Sequence, residues 1–202
     1  MPVAKTDEGT SIYADALCAD GSSMVTEFIY WSDYYNSIIS PFYSYSTGRT
    51  KETLRSSQVT CRDIDDDGYI EIPEDTSSKK QSSEITSQNW VNYGNTVLSH
   101  KCYSFSCKRD GYILVIDDDD FSKVKANYDS ESRKLTIIDK KNKSNVFEIV
   151  TLINSNYSVN DPKYKDYTMI MKNSGFVYLA KVNKSSDIDI NIQTLKDMIK
   201  VY

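Results

Sequence analysis

Apolar and polar positions alternate with a period of two over most of this chain, which is the pattern of half-buried strands. Ser11-Ile12-Tyr13-Ala14-Asp15-Ala16-Leu17 and Met24-Val25-Thr26-Glu27-Phe28-Ile29-Tyr30-Trp31 predict two strands, with Asp20-Gly21-Ser22 as the hairpin turn between them. Ile38-Ile39, ahead of Pro41, predicts a third, and Tyr43 to Lys51 reads as polar loop. Short strands are expected over Gln58 to Arg62 and Tyr69 to Ile72, the second stopped by Pro73. From Trp90 onward the strands come more densely. Asn89 to Tyr93 and Thr96 to Phe105 predict a hairpin turning at Gly94-Asn95, and the apolar run Tyr112-Ile113-Leu114-Val115-Ile116 predicts a buried strand. Five further strands are expected near Val124–Tyr128, Lys134–Ile138, Val146–Leu152, Tyr167–Met171 and Phe176–Ala180, with Ser130 to Arg133 and Asn173 to Gly175 as turns. The period changes only at the end, where Ile188, Ile192, Leu195 and Ile199 recur at helical spacing. That predicts a helix over 187–200, capped by Ser186 or Asp187.

These elements give a β-rich, α+β fold class. An N-terminal antiparallel, propeller-blade-like segment is followed by an antiparallel sheet with a C-terminal helix. The least hydrophobic stretch, Glu74 to Ser87, contains Ser77-Ser78-Lys79-Lys80-Gln81-Ser82-Ser83 and reads as a linker. It separates a β-rich segment, 1–87, from an α+β domain, 88–202. Sixteen tyrosines suit such sheets, because each has an apolar body and a wet tip.

One segment carries candidate chemistry. Asp63-Ile64-Asp65-Asp66-Asp67-Gly68-Tyr69-Ile70-Glu71 places carboxylates at alternate positions and then a glycine where a tight loop must turn. A hard divalent cation such as calcium takes six or more oxygens, and this spacing offers side-chain oxygens of Asp63, Asp65 and Asp67 and the backbone carbonyl of Tyr69. Glu74 completes the EF-hand string formally, but alternating strands flank the segment rather than helices, and Pro73 would cut into an exiting helix. The better match is the strand-loop-strand calcium loop of β-propellers and related all-β repeats, in which position 9, Glu71, supplies the last carboxylate. The competing reading is a solvated β-turn, since Asp and Gly form turns for purely local reasons. A second acidic run, Asp117 to Asp120, lacks glycine and alternation, and reads as a solvated loop or a helix N-terminus.

The net charge of −5 argues against a nucleic-acid partner, which needs a basic patch. No stretch approaches the ~18 apolar residues of a membrane span, and Met1 to Thr6 is not a signal peptide. Cys18, Cys61, Cys102 and Cys107 allow two disulfides or four thiols, and their spacing is not that of a zinc site. His100 beside Cys102 has no third group to make a catalytic set, and the isolated glycines form no phosphate loop.

Taken in order, Met24 to Trp31, Leu54-Arg55-Ser56-Ser57 and Arg62 to Pro73 resemble the C-terminal part of uncharacterised secreted lipoproteins of Gram-positive, clostridia-like bacteria. There a propeller-like region ends in an aspartate-rich turn and a small α+β domain follows. Trp90 to Tyr93, Gly111 to Ile116, Gly175 to Lys181 and the terminal helix fit the same order, although Ile113 to Phe121 lacks the Pro and Trp of the family pattern. The resemblance implies secretion or cell-surface anchoring, with the leader not in this chain, and it implies no activity. The expectation is therefore a non-catalytic extracytoplasmic protein that binds a protein or cell-envelope partner and carries a structural calcium loop. An envelope hydrolase, or an accessory subunit of one, is the second reading.

Overall fold

The structure, a computed structural model, describes residues 3–6, 9–76, 84–94, 96–158, 161–183 and 188–202. In chain order the N-terminal strands are β1 Val3–Thr6, β2 Gly9–Leu17, β3 Met24–Ser32, β4 Ser37–Ile39, β5 Tyr43–Ser44, β6 Arg49–Thr50 and β7 Ile72–Asp75. The long hairpin strands β8 Ile85–Gly94 and β9 Val97–Cys107 follow, then β10 Tyr112–Ile116 and the one-turn helix α1 Asp118–Phe121. The rest comprises β11 Val124–Asp129, β12 Lys134–Asp139, β13 Asn145–Ile153, β14 Thr168–Lys172, β15 Phe176–Val182, helix α2 Ile192–Met198 and β16 Ile199–Val201. The fold is thus β-rich and antiparallel with a short C-terminal helix, and the described strands close into neither a barrel nor a propeller. No described helix is long and apolar enough to cross a membrane. The chain forms two compact units, Met1–Ser77 with Ser87–Tyr103, and Ser78–Thr86 with Ser104–Tyr202, and β8 and β9 contribute residues to both.

In the first unit β1 to β4 form a four-stranded antiparallel meander in sequence order. The β2–β3 register runs from Ser11↔Tyr30 to Leu17↔Met24. Its turn is held by the Asp20 carboxylate, which accepts from the Ser22 and Ser23 amides at 2.8 Å each, and by Gly21 at φ 68°. Alternation on β3 buries Thr26, Phe28, Tyr30 and Ser32 on one face. Phe28 centres an aromatic cluster, with ring centroids 4.8 Å from Tyr13, 4.9 Å from Tyr93 and 5.4 Å from Tyr30. Phe42, Cys61, Ile72 and Val91 complete this core.

Three expectations for this unit need correction. Tyr43 to Lys51 is not wholly loop, since β5 and β6 pair through Tyr43↔Thr50 and Ser44↔Arg49. Gln58 to Arg62 forms no strand, and only Arg62 makes a bridge. Side chains have taken the backbone groups a ladder would need: the Asp15 carboxylate accepts from the Cys61 amide at 2.9 Å, and Arg55 Nε donates to the Val59 carbonyl at 2.9 Å. The strand expected over Tyr69 to Ile72 is displaced: Tyr69 and Ile70 still belong to the loop, and β7 starts at Ile72 and passes through Pro73 to Asp75. It lies at the end of the strand order, where a missing N–H costs no ladder bond.

In the second unit β11-β12-β13-β15-β14 form a five-stranded antiparallel sheet, so β15 pairs with β13 and β14 takes the edge. A fully buried Asp110 accepts from Arg133 Nε at 2.7 Å and the Tyr128 hydroxyl at 2.8 Å, while Tyr178 donates to its carbonyl at 2.8 Å. The Cys107 thiol nearby is pushed up to about 12 by burial and then by the Asp110 charge. The apolar C-terminal residues all join this core, yet only part of the segment is helical. Asn191 is the N-cap, accepting from the Thr194 amide at 3.0 Å, and from Ile199 the chain becomes β16, paired with β10 through Leu114↔Ile199. The pairing supplies backbone partners that another helical turn would forfeit. The caps expected at Ser186 or Asp187, Asn95 of the Gly94-Asn95 turn and the serine-rich 77–83 lie outside the described residues.

Candidate metal centre

The acidic segment is a closed loop on a two-residue bridge. The Arg62 amide donates to the Glu71 carbonyl at 3.1 Å, and the Glu71 amide donates to the Arg62 carbonyl at 2.9 Å. Inside, Asp63 organises the turn, with Oδ1 accepting from the Asp67 amide at 3.0 Å and Oδ2 from the Gly68 amide at 2.9 Å. Asp67 Oδ1 accepts from the Tyr69 amide at 2.9 Å. Asp66 at φ 62° and Gly68 at φ 90° both take left-handed backbone, which Gly adopts freely and Asp tolerates best among charged residues. Ile64, fully buried, anchors the loop from within.

This path brings one oxygen each from Asp63, Asp65 and Glu71 within 4.8 Å of one another. Asp67 stands outside that group, tied to Lys101 Nζ at 2.5 Å. Lys101, on β9, also lies 3.5 Å from Asp65 Oδ2. Glu74 sits on β7 and accepts from the Asn89 amide group at 2.9 Å, away from the loop. Tyr69 contributes its backbone at the seventh position, while its side chain is exposed.

Glu71 is the unusual member. It is 0% exposed, Oε2 accepts from the Ile64 amide at 3.0 Å, and Oε1 has no hydrogen-bond partner. A buried carboxylate oxygen left without a partner is costly. Burial first, and then the charges of Asp65, Asp67 and Asp63, push this carboxyl up to about 7. The donors that converge are all oxygens, and each carboxylate oxygen that accepts one amide keeps a lone pair for a cation. Such a set suits a hard divalent ion of the calcium type rather than a thiolate-seeking metal.

The other sequence candidates are not drawn in. His100 contacts Asn89 Oδ1 and lies against Tyr103, with centroids 4.5 Å apart. Asp118 to Asp120 make up the exposed first turn of α1, with Asp117 at its N-cap. No disulfide joins the four cysteines. Lys101 escaped the sequence reading because it is 34 residues from Asp67 and only strand pairing brings it near. Comparison with family models, with curated proteins and with solved structures finds no match.

Proposed function

We propose that this chain is a non-catalytic extracytoplasmic binding or interaction protein whose Asp63–Glu71 loop takes a structural calcium ion. The observation that carries the metal reading is the fully buried Glu71, whose Oε1 has no partner and which lies with Asp63 and Asp65 in one cluster. A local turn needs only Asp63 and Asp67, which serve the backbone amides. Burying a third carboxylate beside them is unfavourable unless a cation is expected. Asp63, Asp65 and Glu71 would hold the ion directly, with Asp67 and the Tyr69 carbonyl completing the shell. A loop of this kind, exposed at its tip, suits the weak affinities of extracellular calcium modules, which fill where the ion is millimolar. That agrees with the resemblance to secreted lipoproteins, and the partner would then be a protein or another component of the cell envelope.

The test is thermal unfolding in calcium and in chelator, on wild type and on Asp65→Asn. Asp65 is the better probe because Asp63 also holds the turn. With a dissociation constant near 0.1 mM, at the tight end of that class, about 1 mM free ion stabilises the folded state by roughly 1.4 kcal/mol. For a chain of this length that raises the midpoint by roughly 3–6 °C. The shift should shrink or vanish in Asp65→Asn, and its absence in wild type would reduce the loop to a solvated turn.

A further inference from the structure

Lys101 reaches the loop from β9 and engages the two carboxylates of Asp65 and Asp67. Lys101 is half-buried while Asp65 and Asp67 lie exposed near the tip, so water and salt screen the contact in part. Asp67 occupies the fifth position of the Asp-x-Asp-x-Asp-Gly spacing, yet it is held out of the Asp63–Asp65–Glu71 cluster on the Lys101 ammonium. An ion held beside Asp65 and Asp67 would repel that ammonium directly, so metal and lysine compete for the same two carboxylates.

Resting on the calcium reading above, we propose that Lys101 is a tethered counter-ion that competes with the divalent ion and sets the affinity of the loop. The loop then has two states, one closed by Lys101 and one filled by the metal, and the lysine keeps the second from forming at low ion concentration. Lys101 acts through Asp65 and Asp67, as a residue that tunes the site rather than as a ligand.

The experiment is calorimetric titration of the full chain with calcium chloride, on wild type, Lys101→Gln, Lys101→Arg and Glu71→Gln, with circular dichroism confirming that each is folded. A unit charge about 5 Å from a divalent ion in a largely aqueous setting corresponds to roughly five- to fifteenfold in affinity after salt screening. Lys101→Gln is expected to bind calcium tighter by that factor, Lys101→Arg to stay near wild type, and Glu71→Gln to bind far more weakly. The advantage of Lys101→Gln should shrink as salt is raised. Wild-type binding left unchanged, or weakened, in Lys101→Gln overturns the role of Lys101 while leaving the metal site standing. No binding by wild type or by Lys101→Gln overturns both.

Discussion

Replacing Glu71 by Gln should make the protein more stable without calcium and less stable with it. In the folded chain the Glu71 carboxyl titrates at about 7 against an ordinary value of 4.5, because it is buried beside Asp65, Asp67 and Asp63. A difference of that size corresponds to about 3 kcal/mol between the two protonation states. The unfolded chain gives up this proton near 4.5 while the folded chain keeps it to about 7, so the native state binds more protons across that window. Stability therefore falls as pH rises from about 4.5 to about 7 and levels off above. Glu71→Gln cannot lose that proton. Its amide must find its own partners, which takes back about 1 kcal/mol. In chelator the variant should thus exceed wild type by about 1–3 kcal/mol at pH 8 and fall up to about 1 kcal/mol below it near pH 4.5. In calcium the order reverses, because the ion favours the ionised carboxylate. Urea unfolding followed by the fluorescence of the buried Trp90, at both pH values with and without calcium, reads all four conditions. A variant less stable than wild type in chelator at pH 8 would refute the claim that this buried carboxylate is uncompensated.

Two further outcomes concern the first unit alone. Burial by itself would raise the Asp15 carboxyl, but hydrogen bonds from Cys61, Thr26 and Arg55 hold it below the ordinary 3.8, so its contribution is present at neutral pH and is lost as pH falls below about 4. Asp15→Asn, which strands the fully buried Arg55 side chain, should cost about 3–5 kcal/mol at pH 7 and less at pH 3, measured by urea unfolding at each pH. Phe28→Ala, emptying the middle of the aromatic cluster, should cost about 3–5 kcal/mol in the same assay at pH 7, and a loss under 1 kcal/mol would mean that the cluster collapses onto the cavity.

What was legible in the sequence is what local chemistry dictates. Alternation located β2 and β3, whose buried residues share one face, while runs of apolar and β-branched residues located the strands of the second unit's sheet, of which β12, β13 and β15 bury consecutive residues. Turn residues located Asp20-Gly21 and Asn173 to Gly175 for the same local reason. The failures are tertiary. Gln58 to Arg62 has strand-like residues, but Asp15, 46 residues from Cys61, and the nearby buried Arg55 claim its backbone groups. The C-terminal segment has helical spacing throughout, yet β10 offers an edge and Ile199 takes it. In the acidic loop the spacing named Asp63, Asp65 and Glu71, but the separation of Asp67 onto Lys101 depends on β9 and has no local signal.

The loop's position also says what an ion there would do. Ile64, between Asp63 and Asp65, and Ile72, directly after Glu71, are both fully buried, and Ile72 belongs to the aromatic core around Phe28. Glu71 carries both the bridge to Arg62 and the buried carboxylate, so the backbone that closes the loop and the group that would hold the ion are one residue. Unfolding this unit would scatter Asp63, Asp65 and Glu71 and abolish binding, so any affinity for calcium adds to the stability of the fold. Conversely, without an ion one oxygen of the buried Glu71 carboxyl, Oε1, stays without a partner next to that core. A loop that served only to turn the chain would gain by having an apolar residue or glutamine at position 71. A glutamate there, fully buried with Oε1 unpartnered beside Asp63 and Asp65, is a feature that a bound cation would satisfy and that a simple turn does not require.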